Sequence, residues 1–350
     1  MRVPPVFVLL LGICSNPAVA GAQTAPVPAR SSTAYHVYVT NEGSGDISVL
    51  DPVTLTEVRR ISIGKRPRGL VASPDGRKLY VAVSGSPAAG PGVDESKLPA
   101  PDRGADGIAV IDLATSKVER TLRGISDPEQ IAISPDGTRL YVASEDTGRL
   151  ITIGTDGTIL QSIAVGGEPE GLAVSPDGAI VLATSEEDHT VTVLTKRPLV
   201  VSKRIVVGER PRNATFVGPR RAVVPGEFDA TLSVVDVVAG TRVKTITLAK
   251  SDRPMGVVRL DDHQVLVTTG RGGRVVRVDI DAAATKAVTG SVAVGPRPWG
   301  LALSDDRLRA FTANGPSDDV TVVDPVTMTV LGRVKVGTGP WGVIAVPRAR

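Results

Sequence analysis

Seven short phrases, each centred on a proline, recur along the chain. They are Gly64-Lys65-Arg66-Pro67-Arg68-Gly69, Ser126-Asp127-Pro128-Glu129-Gln130, Gly167-Glu168-Pro169-Glu170-Gly171, Glu209-Arg210-Pro211-Arg212-Asn213, Asp252-Arg253-Pro254-Met255-Gly256, Pro296-Arg297-Pro298-Trp299-Gly300 and Thr338-Gly339-Pro340-Trp341-Gly342. Successive prolines stand 61, 41, 42, 43, 44 and 42 residues apart. A period in the low forties, with strand-like sequence between the marks, predicts one sheet per period, arranged as a ring of blades.

The unit that starts at Pro128 predicts four strands. Gln130–Ser134 is the first, Arg139–Ala143 the second, Leu150–Ile153 the third and Ile159–Val165 the fourth, each rich in β-branched residues. Ser134-Pro135-Asp136-Gly137 is a turn, with proline fixing one φ and glycine at the exit. It recurs at residues 73–76 and 175–178 and is degraded to Ser304-Asp305-Asp306 later. No stretch carries a helical period.

The two ends of the chain are complementary. Residues 35–63 contain second, third and fourth strands without a first, and Trp341–Val346 is a first strand with nothing after it. Together they make one blade and leave no raw sheet edge. The expectation is an all-β, seven-bladed propeller of four-stranded blades over residues 35–348. The one long spacing is explained by an inserted loop at 84–106 between second and third strands.

Residues 1–20 read as an export signal: a positive start at Arg2, a short apolar run from Val6 to Ile13, and the small-residue site Ala18-Val19-Ala20 with cleavage near Ala20. The expected compartment is the periplasm. Residues 21–34 read as a disordered leader. Leu11-Gly12-Ile13-Cys14 offers a lipoprotein alternative, although Ile13 is bulky for the position before a lipidated cysteine. Cys14 is the single cysteine, so the mature chain would carry no disulfide, no thiol nucleophile and no c-type haem attachment. The formal net charge of +3 comes from interleaved acids and bases, which gives no nucleic-acid footprint. No later segment is long and apolar enough for a membrane span.

Tyr38-Val39-Thr40-Asn41-Glu42 spells the motif of YVTN-type propeller repeats. Lys65–Gly69, Val83-Ser84-Gly85-Ser86-Pro87, Asp127–Gln130, Thr269-Gly270-Arg271-Gly272-Gly273, Arg297–Gly300 and Thr312-Ala313-Asn314-Gly315-Pro316-Ser317 occur in blade-specific order. In this order they resemble the β-propeller proteins associated with pyrroloquinoline-quinone-dependent catabolism, over nearly all of the mature chain. The resemblance implies a periplasmic protein working beside quinoprotein alcohol oxidation, with a quinoprotein dehydrogenase or c-type cytochrome as partner. It implies no reaction. The chain departs from the repeat at Arg221-Ala222-Val223-Val224-Pro225, where Tyr-Val is usual.

In such a ring the residue after each phrase proline enters the channel mouth: Arg68, Glu129, Glu170, Arg212, Met255, Trp299 and Trp341. Second-to-third loops add Glu42, Glu145, Glu186, Glu227, Arg271 and Asn314 on the same face. Both tryptophans of the chain fall in this set. The expected mouth is lopsided, with an aromatic wall, an acidic wall and basic flanks, and it suits a small-molecule ligand. The same residues also fit a plain structural role, in which Arg–Glu pairs seal the channel and the tryptophans cap it. Glu129, Glu145, Glu170 and Glu186 are the candidate set for a Ca²⁺ ion. His36, His189 and His263 fall at none of these positions, no Ser-His-Asp triad is apparent, and no cofactor is implied.

Three functions stay open. One is a non-catalytic binding or accessory protein of quinone-linked alcohol oxidation. A second is a lactonase-like hydrolase, with Glu129 or Glu170 as base and Arg68 or Arg212 stabilising the oxyanion. The third is a protein-interaction platform built on the 84–106 loop.

Overall fold

A computed structural model describes Met1 and residues 35–88, 97–195 and 198–348. The expected signal, the leader, Cys14 and the middle of the long loop (89–96) lie outside the described residues. Seven four-stranded antiparallel sheets follow one another along the chain, and all but one are built from consecutive strands. The exception pairs Pro340–Pro347 with Tyr35–Asn41, followed by Asp46–Asp51 and Thr56–Ser62. The last strand thus supplies the missing first strand, in antiparallel register Val39↔Val343 and Val37↔Ala345.

Burial follows strand order within a blade. Second strands such as Lys78–Val83 and Gln264–Thr269 are buried on both faces after their first residue. Fourth strands such as Thr56–Ser62 and Val200–Val206 are mostly exposed. Among the described residues the apolar side chains form seven clusters, each shared by two neighbouring blades. Phe311, Val322 and Ala313 meet Val37, Val39 and Tyr35 across the closing interface, with Tyr35 edge-on to Phe311 at 6.3 Å. The core is therefore a ring of inter-blade layers, and closing the ring buries the last of them.

The outer turns behave as their sequence predicts. Ser134 Oγ donates to Asp136 Oδ1 at 2.5 Å, Gly137 N donates to Ser134 O at 2.8 Å, and Gly137 takes φ 69°. In the degraded copy the same hydroxyl contact survives between Ser304 and Asp306 at 2.6 Å, and Arg307 takes the left-handed position at φ 56°. The departure at Arg221–Pro225 has a visible consequence. Pro225 cannot donate an N–H, the first strand beside it shrinks to Thr215–Val217, and pairing resumes only at the bridge Pro211↔Gly226.

The hub explains two letters of the repeat motif. In each blade with a full first strand the ladder slips just after the phrase proline, as between Pro67/Leu70 and Pro298/Leu301. Two residues bulge out there, which re-aims the first of them into the mouth. The motif threonine fastens the bulge. Thr40 Oγ1 accepts from Gly342 N at 2.8 Å and donates to Arg68 O of the next blade at 2.7 Å. Thr268 does the same between Gly256 N (2.8 Å) and Trp299 O (3.0 Å). The motif asparagine turns into its own blade: Asn41 Nδ2 donates to Asp46 Oδ1 at 2.7 Å and Ser48 Oγ at 2.9 Å.

Glycine follows the site residue in five phrases because the next strand leaves no room. A Cβ on Gly300 would lie 2.5 Å from Trp341 O, and one on Gly256 would lie 2.6 Å from Trp299 O. Gly300→Ala should therefore lower unfolding free energy by about 1–3 kcal/mol through overpacking. Gly315→Ala, whose Cβ would meet only Pro340 O at 3.7 Å, should stay within about 0.5 kcal/mol of the parent. Urea denaturation of the two variants checks the contrast, and equal midpoints would show that the hub is not tight.

Candidate functional site

The bulged residues surround a cavity of about 1330 Å³ at the mouth of the hub. Arg68, Glu129, Arg212, Met255, Trp299 and Trp341 line it, and the second-to-third loops add Glu42, Glu145, Glu227 and Arg271. Three expected members do not reach it. Glu170 and Glu186 are buried beside Arg212 without lining the cavity. Asn314 is fully buried and repeats the role of Asn41, donating to Asp319 Oδ1 at 2.7 Å and Thr321 Oγ1 at 2.9 Å.

A further ring was not anticipated from the sequence. The residues immediately before the phrase prolines are Arg66, Asp127, Glu168, Arg210, Arg253, Arg297 and Gly339, and all of them line the cavity. All have positive φ, between 40° and 64°. Backbone sterics favour glycine in that conformation, yet glycine occupies it once and arginine four times. The signal lay in the same phrases, one residue upstream of the position read as functional. Phe228 was missed as well. It is 47% exposed at the rim, with the guanidinium of Arg210 at 5.0 Å and that of Arg253 at 4.6 Å from its ring centre.

Two buried arginines organise the acidic side. Arg68 is 3% exposed and contacts Asp127 at 2.6 Å, Glu145 at 3.3 Å and Glu129 more closely still. Burial opposes its charge, but Glu129, Glu145 and Asp127 together hold its pKa above the ordinary arginine value. One cation facing three carboxylates leaves an excess of negative charge. Glu129 absorbs it: burial pushes its carboxyl well above the usual range, against the pull of Arg68 and with the push of Glu145 and Asp127. Burial also works to raise Asp127, yet Arg68 and the Ser84 hydroxyl, 2.5 Å from Asp127 Oδ1, bring it below the ordinary value.

Arg212 is the second organiser. It contacts Glu170 and Glu186 closely and Glu227 at 2.7 Å, while Arg210 also contacts Glu186. Burial raises the Glu186 carboxyl from 4.5 to about 7, against Arg212 and Arg210. The four glutamates considered for Ca²⁺ are therefore divided between two arginines. Among the described residues no group of three His, Cys, Asp or Glu side chains is placed to hold a metal.

The opposite wall differs. Trp299 and Trp341 lie 5.5 Å apart at 36°, and Arg212 and Arg297 stand 5.0 and 5.2 Å from the Trp299 ring centre. Met255 lines a smaller pocket together with Arg212, Trp299 and Trp341. The described part of the long loop borders the cavity with Leu98, Pro99, Ala100 and Pro101. Asp106 ties the loop down, accepting from Gly85 N at 2.7 Å and Asp127 N at 3.1 Å. No histidine lines the cavity. His263 pairs with Asp281 in an outer turn, and His189 Nδ1 accepts from Arg210 N at 3.2 Å.

Residues 4–157 match the YNCE-like beta-propeller family. The match supports the YVTN-type resemblance. A 137-residue segment is 33% identical to Antigen Lp49 of Leptospira interrogans (serogroup Icterohaemorrhagiae, serovar copenhageni, strain Fiocruz L1-130). It covers 31% of this chain and 30% of that protein, so the match spans less than a third of the relative's length. Among solved structures, a candidate 6-phosphogluconolactonase from Bacteroides uniformis ATCC 8492 superposes with a TM-score of 0.71 at 17% identity, over 90% of this chain and all of that one. The dihydro-heme d1 dehydrogenase NirN in complex with DHE gives 0.63 at 15% identity, over 92% of this chain and 78% of that one. Identities this low show a shared propeller fold.

Arg68→Met should cost about 3–5 kcal/mol at pH 7, because it strands buried carboxylates. The loss should shrink toward pH 5 as they take up protons. Glu186 gives a second test. Its folded pKa lies above its ordinary value, so it contributes stability fully below pH 4.5 and loses it as pH rises through about 7. Unfolding free energy measured from pH 4.5 to 7.5 should fall less steeply in Glu186→Gln than in the parent.

Proposed function

We propose that this chain is an exported binding or accessory protein of quinone-linked alcohol oxidation, which holds a small molecule or presents it to a redox partner at the hub mouth. One observation carries the binding reading. The carboxylates best placed to act as bases are committed to arginines: Glu129 to Arg68, Glu170 and Glu186 to Arg212, and Glu42 to Arg66 at 2.7 Å. The aromatic wall beside them is open to the cavity. A concave site with mixed lining, whose inner carboxylates are committed to arginines and whose Glu187, unengaged among the described residues, stands exposed at the rim, suits recognition better than turnover. The export reading rests on Arg2 to Ala20, and the pathway reading rests on the ordered motifs from Lys65 to Ser317.

The test is capture of the full-length, natively processed protein from a periplasmic extract of the producing cell. A quinoprotein dehydrogenase or c-type cytochrome should co-purify, and the yield should drop when Trp299→Ala is the bait. Recovery of the protein only from the cytoplasm, or of the same proteins with both baits, counts against it.

Lactone hydrolysis is the second reading, supported by Glu129 at the cavity with its raised carboxyl. A carboxyl that keeps its proton donates to a leaving alkoxide but does not activate water, so Glu129 would serve as acid and Arg68 as oxyanion partner. Glu170 drops out as base, since it does not line the cavity. Turnover on a lactone panel, with and without Ca²⁺, should be absent or unchanged in Glu129→Gln if binding is the function. A drop of about a hundredfold or more in that variant would establish hydrolysis instead.

A further inference from the structure

The arginines of the mouth bear on the chemistry of its ligand, an inference that rests on the small-molecule reading of the site. Eight arginines line the cavity, and they fall into two groups. Arg66, Arg68, Arg103, Arg210 and Arg212 each contact a carboxylate. Arg253, Arg271 and Arg297 do not: among the described residues none of them has a carboxylate within ion-pair distance or a side-chain hydrogen bond. They come from adjacent blades and flank the wall of Phe228, Met255, Trp299 and Trp341.

Two of these guanidinium groups are not free solvent-borne charges. Arg253 and Arg297 are partly buried, and both occupy the left-handed position before a proline, at φ 51° and 45°. A non-glycine residue there costs of order 1–3 kcal/mol, and the equivalent Gly339 shows that the turn itself needs no side chain. Arg297 is desolvated enough that its pKa falls, with Arg212 and Arg210 adding repulsion and only Glu227 and Glu42 opposing. Cations that line one cavity with an apolar floor and have no carboxylate at ion-pair distance form half of an ion-pairing site.

We infer that the Arg253–Arg271–Arg297 wall binds an organic dianion, with carboxylate or phosphate groups held by the arginines and a flat apolar body lying among Phe228, Met255 and Trp299. Guanidinium forks match either anionic group with paired hydrogen bonds. Aromatic side chains take the apolar body. On the acidic side of the mouth Arg68 and Arg212 are already engaged by carboxylates, so that side offers no competing cation and leaves the ligand on one wall.

Both tryptophans of the chain are in the mouth, so intrinsic fluorescence reads the site directly. The full chain is titrated with terephthalate, phenyl phosphate, inorganic phosphate and uncharged benzyl alcohol, with calorimetry as a second readout. Terephthalate or phenyl phosphate should bind at least about tenfold more tightly than inorganic phosphate or benzyl alcohol. Whichever of the two binds better identifies the preferred anionic group. Arg253→Gln and Arg297→Gln should each weaken that binding about tenfold or more at an unchanged melting temperature, and Arg271→Gln should weaken it less from its exposed position. Equal binding of benzyl alcohol, or unaltered affinity in both inner variants, overturns the inference while leaving the mouth a ligand site. Silence of all four probes in both readouts overturns it together with the small-molecule reading of the mouth.

Discussion

At five of seven places around the hub, neighbouring first strands meet at a separation that excludes a side chain, and the rest of the molecule is organised around that approach. A glycine on one strand faces the carbonyl of the next, and a buried threonine bridges the two through one accepted and one donated hydrogen bond. Because Thr40 belongs to the blade completed by Pro340–Pro347 and bonds to Arg68 O of the following blade, the contact that closes the ring is of the same kind as one inside it. The bulge that brings strands this close also turns one residue per blade toward the axis. Fold closure and presentation of the mouth residues are thus one geometric event.

That coupling explains what the sequence revealed. Proline fixes φ just before the bulge, glycine permits the approach after it, and the residue between them is free to vary. The spacing of the prolines therefore gave both the blade count and the ring Arg68, Glu129, Arg212, Met255, Trp299 and Trp341. The loop ring was harder, because a loop residue has two directions in which to turn. Asn314 turned inward to its blade, and the reason was visible: Asp319 and Thr321 stand five and seven residues on, as Asp46 and Ser48 do from Asn41. Glu170 and Glu186 were illegible for a different reason. Their placement depends on Arg212, which reaches them from another blade, and the register of one blade on the next is not written in either.

The pre-proline ring escaped notice because the usual rule for that position disfavours compact conformations, so a left-handed residue there is not expected. Seven such residues in a row around the mouth show that the turn, and not the residue, sets the conformation. Glycine would satisfy the backbone at lower cost. Arginine at four of seven places is then a statement about side chains, and it separates the residues the fold requires from those it merely tolerates.

Charge is consequently distributed by blade. On one side Arg68 faces Asp127, Glu129 and Glu145, and Arg212 with Arg210 faces Glu170, Glu186 and Glu227. Each group has more acid than base, and each resolves the excess by raising a buried carboxyl toward protonation. On the other side Arg253, Arg271 and Arg297 have no carboxylate at ion-pair distance among the described residues, and Glu227 and Glu42 act on Arg297 only from further off. Protons are always available to a carboxylate, but arginine does not lose its charge at any ordinary pH. The acidic side can therefore be neutral by itself, whereas the basic side is completed only by something that carries negative charge into the mouth.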